Sequence, residues 1–210
     1  MTKHLPILST KKLKISVTRQ ALLAGFAIID YDFIEISFTG RIGQLNKNLV
    51  FTSCHGVAAF AKHSEKINSS QKYRGYCLRG ATFEALKEIS CIEIVATAVD
   101  ASSLAREIIA DKTVKELSFI CGNMRRDDLP DILRRYNVSV EEMIVYETRQ
   151  AGHPVKNAYK GILFFSPSAV DSFFQSNILA PKIPSFCIGE ITATAVRQHT
   201  GNPIIIAADT

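Results

Sequence analysis

Five hydroxyl side chains, Ser53, Thr82, Ser166, Ser168 and Thr192, stand where a short apolar run gives way to an amphipathic one. That pattern predicts a buried strand passing straight into a helix. At such a turn the carboxyl end of a strand meets the amino end of a helix, with unbonded backbone N–H groups and the positive end of the helix dipole. The turn attracts an anion, and a hydroxyl adds a further donor. Any one of these residues taken alone reads equally as a helix N-cap. Their recurrence at repeated positions favours a site.

The first of these turns also carries sulfur and imidazole, in Phe51-Thr52-Ser53-Cys54-His55-Gly56. A helix amino end stabilises a thiolate, which would make Cys54 the nucleophile of a hydrolase or amidotransferase. Two points weigh against that chemistry. The matching turn later in the chain has Pro167 in the place of Cys54, and side chains adjacent on a turn diverge, which places His55 poorly as a base. No CxxC, HxxxH or HxH spacing prepares a metal site, and no GxGxxG or Walker sequence prepares a nucleotide site. The expectation is no metal and no cofactor.

The elements that must position these turns read as strands at Leu13–Thr18, Ala27–Phe38, Leu49–Thr52, Tyr76–Leu78, Ile92–Ala96, Leu117–Cys121, Met143–Thr148, Ile162–Phe165, Phe186–Ile188 and Ile204–Ala207. Most are continuous Val, Ile and Phe runs, as in parallel sheets covered on both faces. Between them lie helical patterns. Ala101–Ala110 follows Asp100 as a cap, and Arg125–Tyr136 carries Leu129, Ile132 and Leu133 on one face. Strand and helix in alternation define an α/β fold with parallel sheets.

The chain also repeats itself. The segment from Leu49 to Phe60 lines up with Ile162 to Phe173, and Cys77 to Thr82 with Cys187 to Thr192. Two matches in the same order predict two similar α/β domains of about 100 residues each.

With 210 residues, 47% of them hydrophobic and 21% charged, the composition excludes a disordered or collagen-like chain. The longest apolar run, Ala21–Ile29, falls well short of the roughly 20 residues of a membrane span. Five scattered cysteines suit reduced thiols in the cytoplasm. The net charge of +5 is spread out, and Lys11, Lys12 and Lys14 read as a solvated tail, so no nucleic-acid partner is expected. A two-lobed protein that closes on an anionic small molecule fits these features as well as an enzyme does.

In order along the chain stand Val17-Thr18-Arg19, Phe51-Thr52-Ser53, Cys121-Gly122-Asn123-Met124-Arg125-Arg126, Val145-Tyr146-Glu147-Thr148, Phe165 to Val170, and Ile188 to Ala193. This succession resembles the uroporphyrinogen-III synthase family from about Lys14 onwards. Cys121 stands where the family often has arginine, and Arg79-Gly80 where it often has Gly-Pro.

The resemblance implies a discontinuous domain of residues 1–37 plus 149–210 and an inserted one of residues 38–147. A two-stranded β-ladder would join them, with a cleft between. It implies a lyase that cyclises the linear octacarboxylate tetrapyrrole hydroxymethylbilane, inverting the last ring and losing water, in haem biosynthesis. Tyr146 becomes the candidate proton donor, since a phenol with an ordinary pKa of about 10 is protonated at neutral pH. Its other reading is an aromatic packed on the ladder. Thr18, Arg19, Ser53, His55, Arg79, Thr82, Arg125, Ser166, Ser168 and Thr192 become the candidate substrate-binding residues, with Arg126 a further cation. A monomer in the cytoplasm is expected, with no membrane partner.

Overall fold

The computed structural model describes residues 4–64, 71–156 and 158–208. The chain forms β1 (Leu5–Ser9), α1 (Ile15–Leu23), β2 (Phe26–Asp30) and β3 (Ile34–Phe38), then β4 (Asn48–Phe51), α2 (Cys54–Ser64), β5 (Tyr73–Leu78) and α3 (Ala81–Leu86). There follow β6 (Ile92–Ala98), α4 (Ala101–Ala110), β7 (Glu116–Gly122), α5 (Asp128–Arg135) and β8 (Ser139–Gln150). The last elements are β9 (Ile162–Phe164), α6 (Pro167–Ser176), β10 (Ser185–Cys187), α7 (Glu190–Arg197) and β11 (Ile204–Ile206).

These elements divide into two compact units, Met1–Glu35 with Arg149–Thr210, and Ile36–Thr148. The sheet of unit one runs β11-β10-β9-β1-β2, and that of unit two β3-β8-β7-β4-β5-β6. All neighbouring strands pair in parallel except β3 and β8. There the Ala151 N–H donates to the Phe33 carbonyl and the Thr39 N–H to that of Val145, a reversed order that makes the pair antiparallel.

With β3 set aside, the two sheets have one plan. Strands β9, β10 and β11 occupy the places of β4, β5 and β6, while β1 and β2 occupy those of β7 and β8. The sequence repeat covers β4 and β5 against β9 and β10.

Alternation along the strands builds the layers. In unit two Val50 joins Tyr76 and Phe119 against Leu104, Ile108, Leu129 and Leu133 of α4 and α5. Its neighbours Leu49 and Phe51 join Cys77 and Ile120 against Val57, Phe60 and Leu86 of α2 and α3. Helices therefore cover both faces. In unit one Leu8, Ile162, Phe164 and Cys187 pack with Phe173 of α6 and Val196 of α7.

Three sequence expectations need correction. Leu13–Thr18 is not a strand, because from Ile15 onwards it opens helix α1, none of whose residues is buried. The strand that fills the central place is β1, which sequence passed over because Pro6 argues against a central strand. Ala27–Phe38 is two strands, since Phe33 turns fully into the core of unit one and Asp32 accepts from the Lys12 N–H at 2.8 Å. The helix expected from Arg125 starts at Asp128, because Arg125 is held by carboxylates before the first turn.

Candidate functional site

In an open α/β sheet, ligands bind beyond the carboxyl ends of the strands, where successive connections leave in opposite directions. Unit two reverses between β4 and β7: α2 leads from β4 toward β5, and α5 leads from β7 toward β8. Unit one reverses between β9 and β1 in the same way.

At the unit-two reversal β4 is followed by Thr52-Ser53. Ser53 starts helix α2, its carbonyl accepting from the Gly56 and Val57 N–H groups and its hydroxyl from the His55 N–H at 3.2 Å. Beside it β7 ends at Gly122, which is paired with Tyr146 of β8 across a register shift. The Tyr146 ring lies against Gly122, where a Cβ would come 2.4, 2.5 and 3.0 Å from three ring atoms. Only glycine leaves that space. The Ser53 side chain is a polar neighbour of the Tyr146 phenol, and the His55 ring is tilted against the phenol ring with centroids 5.7 Å apart. Burial pushes the phenol above its ordinary value and the polar Ser53 side chain works the other way, leaving the group protonated at neutral pH.

Gly56 has a different reason to be glycine. A Cβ there would stand 2.9 Å from the Ile120 carbonyl oxygen, so its absence lets α2 press onto β7.

The other predicted residues of unit two divide into three kinds. Arg79 is exposed after β5, and among the described residues it has no ion pair. Thr82 is buried on α3 rather than presented to solvent. Arg125 is bound by Glu142 through Nε and by Asp127 at 2.6 Å, while Glu142 also takes Arg134 at 2.5 Å. Much of its charge is therefore already neutralised. Arg126 pairs with Asp128 at 2.8 Å.

In unit one Ser166 caps α6, accepting from the Ala169 N–H at 3.3 Å, and its hydroxyl meets that of Ser168 at 3.1 Å. Thr192 is buried on α7. The strand end beside the Ser166 turn is that of β1, where both the N–H and the hydroxyl of Thr10 donate to the Leu163 carbonyl, at 3.1 and 2.9 Å. Lys11 follows, its ammonium 5.9 Å from the centre of the Phe165 ring. It is a cation at a strand end that sequence read as part of a tail. The available signal was Leu8-Ser9-Thr10, an apolar run closing in hydroxyl residues like Phe51-Thr52-Ser53. Thr18 and Arg19 are not at this strand end. Both lie on α1, where the Thr18 hydroxyl donates to the Ile15 carbonyl at 3.0 Å and Arg19 is exposed.

Among the described residues no three His, Cys, Asp or Glu side chains converge as a metal-binding group. None of the described helices is long and apolar enough to cross a membrane.

The fold and these turns define a class: an α/β protein of two doubly wound units whose strand ends gather hydroxyl, amide and cationic donors suited to an anionic small molecule. The family model for Uroporphyrinogen-III synthase HemD matches residues 24–210. The chain belongs to that family, and is a lyase of tetrapyrrole biosynthesis acting on a small-molecule tetrapyrrole.

A comparison with curated protein sequences gives no match. Among solved structures, the chain is similar to uroporphyrinogen-III synthetase from Helicobacter pylori, with a TM-score of 0.67 and 16% identity over 98% of this chain and 93% of that one. A mutant uroporphyrinogen III synthase from the extremely thermophilic bacterium Thermus thermophilus gives a TM-score of 0.64 and 13% identity, over 98% of this chain and 94% of that one. At that identity the likeness concerns the fold. Neither the Cys54 hydrolase nor the binding protein without catalysis is favoured by these findings.

Proposed function

We propose that the chain cyclises hydroxymethylbilane to the inverted macrocycle with Tyr146 as proton donor. The observation that carries this reading is the half-buried, protonated phenol beside Ser53 at the strand reversal of unit two. The bond to break joins the terminal methylene carbon of the substrate to its hydroxyl oxygen. As it breaks, the Tyr146 O–H transfers its proton to the departing hydroxyl, which leaves as water. The pyrrole keeps the positive charge, delocalised over its ring. The substituted α-carbon of the ring at the far end attacks the terminal methylene and forms a spiro centre. This ring's bond to its original methylene then breaks and re-forms at its free α-carbon, which inverts the ring. The proton lost from that carbon balances the one given by the phenol.

The linear tetrapyrrole is electron-rich and closes without help to the uninverted isomer. The protein's larger task is to hold it where the other carbon is attacked. Carboxylates of the substrate are taken by Ser53, His55 and Arg79 in unit two, and by Ser166, Ser168 and Lys11 in unit one. Charge-assisted hydrogen bonds spread over many donors suit a flexible polyacid better than one deep apolar pocket. Thr82 and Thr192 shape the helix starts from within. Arg125 contributes through the turn it fixes, and Thr18 and Arg19 stand outside the reading because α1 carries them away from the strand end.

A cytoplasmic monomer that needs neither metal nor nucleic acid belongs to the same reading. All five cysteines are free thiols, which suits a reducing compartment.

The test is product analysis with purified protein and hydroxymethylbilane, without added metal or nucleotide. The type III macrocycle is expected, and type I alone would overturn the reading. Tyr146→Phe is expected to lower the rate severalfold or more, with little change in thermal stability. An unchanged rate removes Tyr146 from the mechanism.

A further inference from the structure

Strand β7 stops at Gly122, but its neighbour β8 runs on to Gln150, leaving the backbone around Tyr146 and Thr148 without a strand on that side. One residue fills the gap. The Asn123 N–H donates to the Tyr146 carbonyl at 3.2 Å. Its side-chain Oδ1 accepts from the Thr148 N–H at 2.7 Å, and its Nδ2 donates to the Thr148 carbonyl at 3.3 Å. The carboxamide thus offers Thr148 the donor and acceptor that another peptide group would have offered. Main chain and side chain of one residue together secure β8 on both sides of Glu147.

From this arrangement we propose that Asn123 is the positioning residue for Tyr146. It fixes the path of β8 past the register shift between Cys121 and Gly122, and so sets the phenol against Gly122 and within reach of Ser53. The catalytic part of the proposal rests on the reading of Tyr146 as proton donor.

The chemistry selects asparagine. Alanine removes both side-chain bonds. Aspartate keeps the acceptor for the Thr148 N–H but turns an anionic oxygen toward the Thr148 carbonyl. Glutamine is a methylene too long for the gap. The turn from Gly122 to Arg125 that carries Asn123 is itself anchored, because the Arg125 N–H donates to the Gly122 carbonyl and its guanidinium is bound by Glu142 of β8.

The experiment compares Asn123→Ala, Tyr146→Phe and the double variant in the full chain, with two readouts. The first is the rate of type III macrocycle formation. Asn123→Ala is expected to lower kcat about tenfold, a part of what a well-placed general acid contributes, while KM stays within about twofold. In the Tyr146→Phe background the same substitution should add less than about twofold, because a group acting through Tyr146 has nothing left to place. An equal loss in both backgrounds overturns the proposal.

The second readout needs no turnover. The Gly122 Hα standing where a Cβ would be points into the Tyr146 ring, so its NMR resonance is displaced upfield by the ring current. Asn123→Ala should abolish that displacement, and an unmoved resonance overturns the proposal. A Tyr146→Phe variant as fast as the parent sinks the donor reading instead, and the Gly122 resonance then decides the placement by Asn123 alone. Should Asn123→Ala fail to fold, Asn123→Asp, which keeps one of the two bonds, carries both readouts.

Discussion

Gly122 shows how a residue without a side chain can govern a site. Its place beneath the Tyr146 ring leaves no room for a methyl group, with three ring atoms within 3.0 Å of the missing Cβ. Gly122→Ala is therefore expected to displace the ring and destabilise the protein by about 1–3 kcal/mol, as overpacking does. Turnover should fall together with stability; denaturant melts and the product assay check both. The turn at Ser53 was legible in the sequence, because a strand passing into a helix is a local signal, whereas Tyr146 stood out only through the family resemblance. Gly122 and Asn123 lay in a segment that sequence singled out, yet their tasks were not legible. Those tasks arise from the register of β8 against β7, which no local pattern encodes.

At the scale of elements, the amino end of unit two's sheet is fastened by one carboxylate. Asp111, following α4, binds Arg74 of β5 at 2.6 Å, the Tyr76 hydroxyl at 3.1 Å and the Thr113 hydroxyl at 2.6 Å. The Thr113 hydroxyl, then Arg74, hold its carboxyl well below the usual carboxylate range, while burial pushes the Tyr76 phenol up to about 12. A carboxyl depressed in the folded state stabilises it above the unfolded pKa of about 3.9, and that contribution is lost as pH falls toward the folded value. Asp111→Asn should therefore lower the melting temperature at pH 7, and the gap from the parent should narrow progressively below about pH 4. Thermal melts at pH 7 and pH 3 check the sign. Sequence patterning found most of the strands in whole or in part only because apolar runs are conspicuous; one of those runs, Ala27–Phe38, is a pair of strands broken at Phe33. It missed β1 behind Pro6 and took the start of α1 for the opening strand, since Leu13 to Val17 alternates like a strand.

At the scale of the molecule, each buried cluster is drawn from a single unit. Phe173 is fully buried among Phe33, Phe164 and Phe174 in unit one. Phe173→Ala should cost about 3–5 kcal/mol, and hydrogen exchange should quicken in β1, β2, β9 and β10, with β4, β5 and β7 far less affected. The common plan of the two sheets was legible as a repeat for β4 and β5 against β9 and β10. For β1 and β2 against β7 and β8 it was not, because those counterparts stand in a permuted order along the chain.

That permutation bears on how the protein is made. The middle of unit one's sheet joins β1, which is synthesised before unit two, to β9, which leaves the ribosome only after all of unit two. The inserted unit can complete its sheet during translation, whereas β1 and β2 must wait for partners more than a hundred residues behind them. Delay in the late segments would leave β1 and β2 unsatisfied while unit two is already native, so strands made before the inserted unit mature after it.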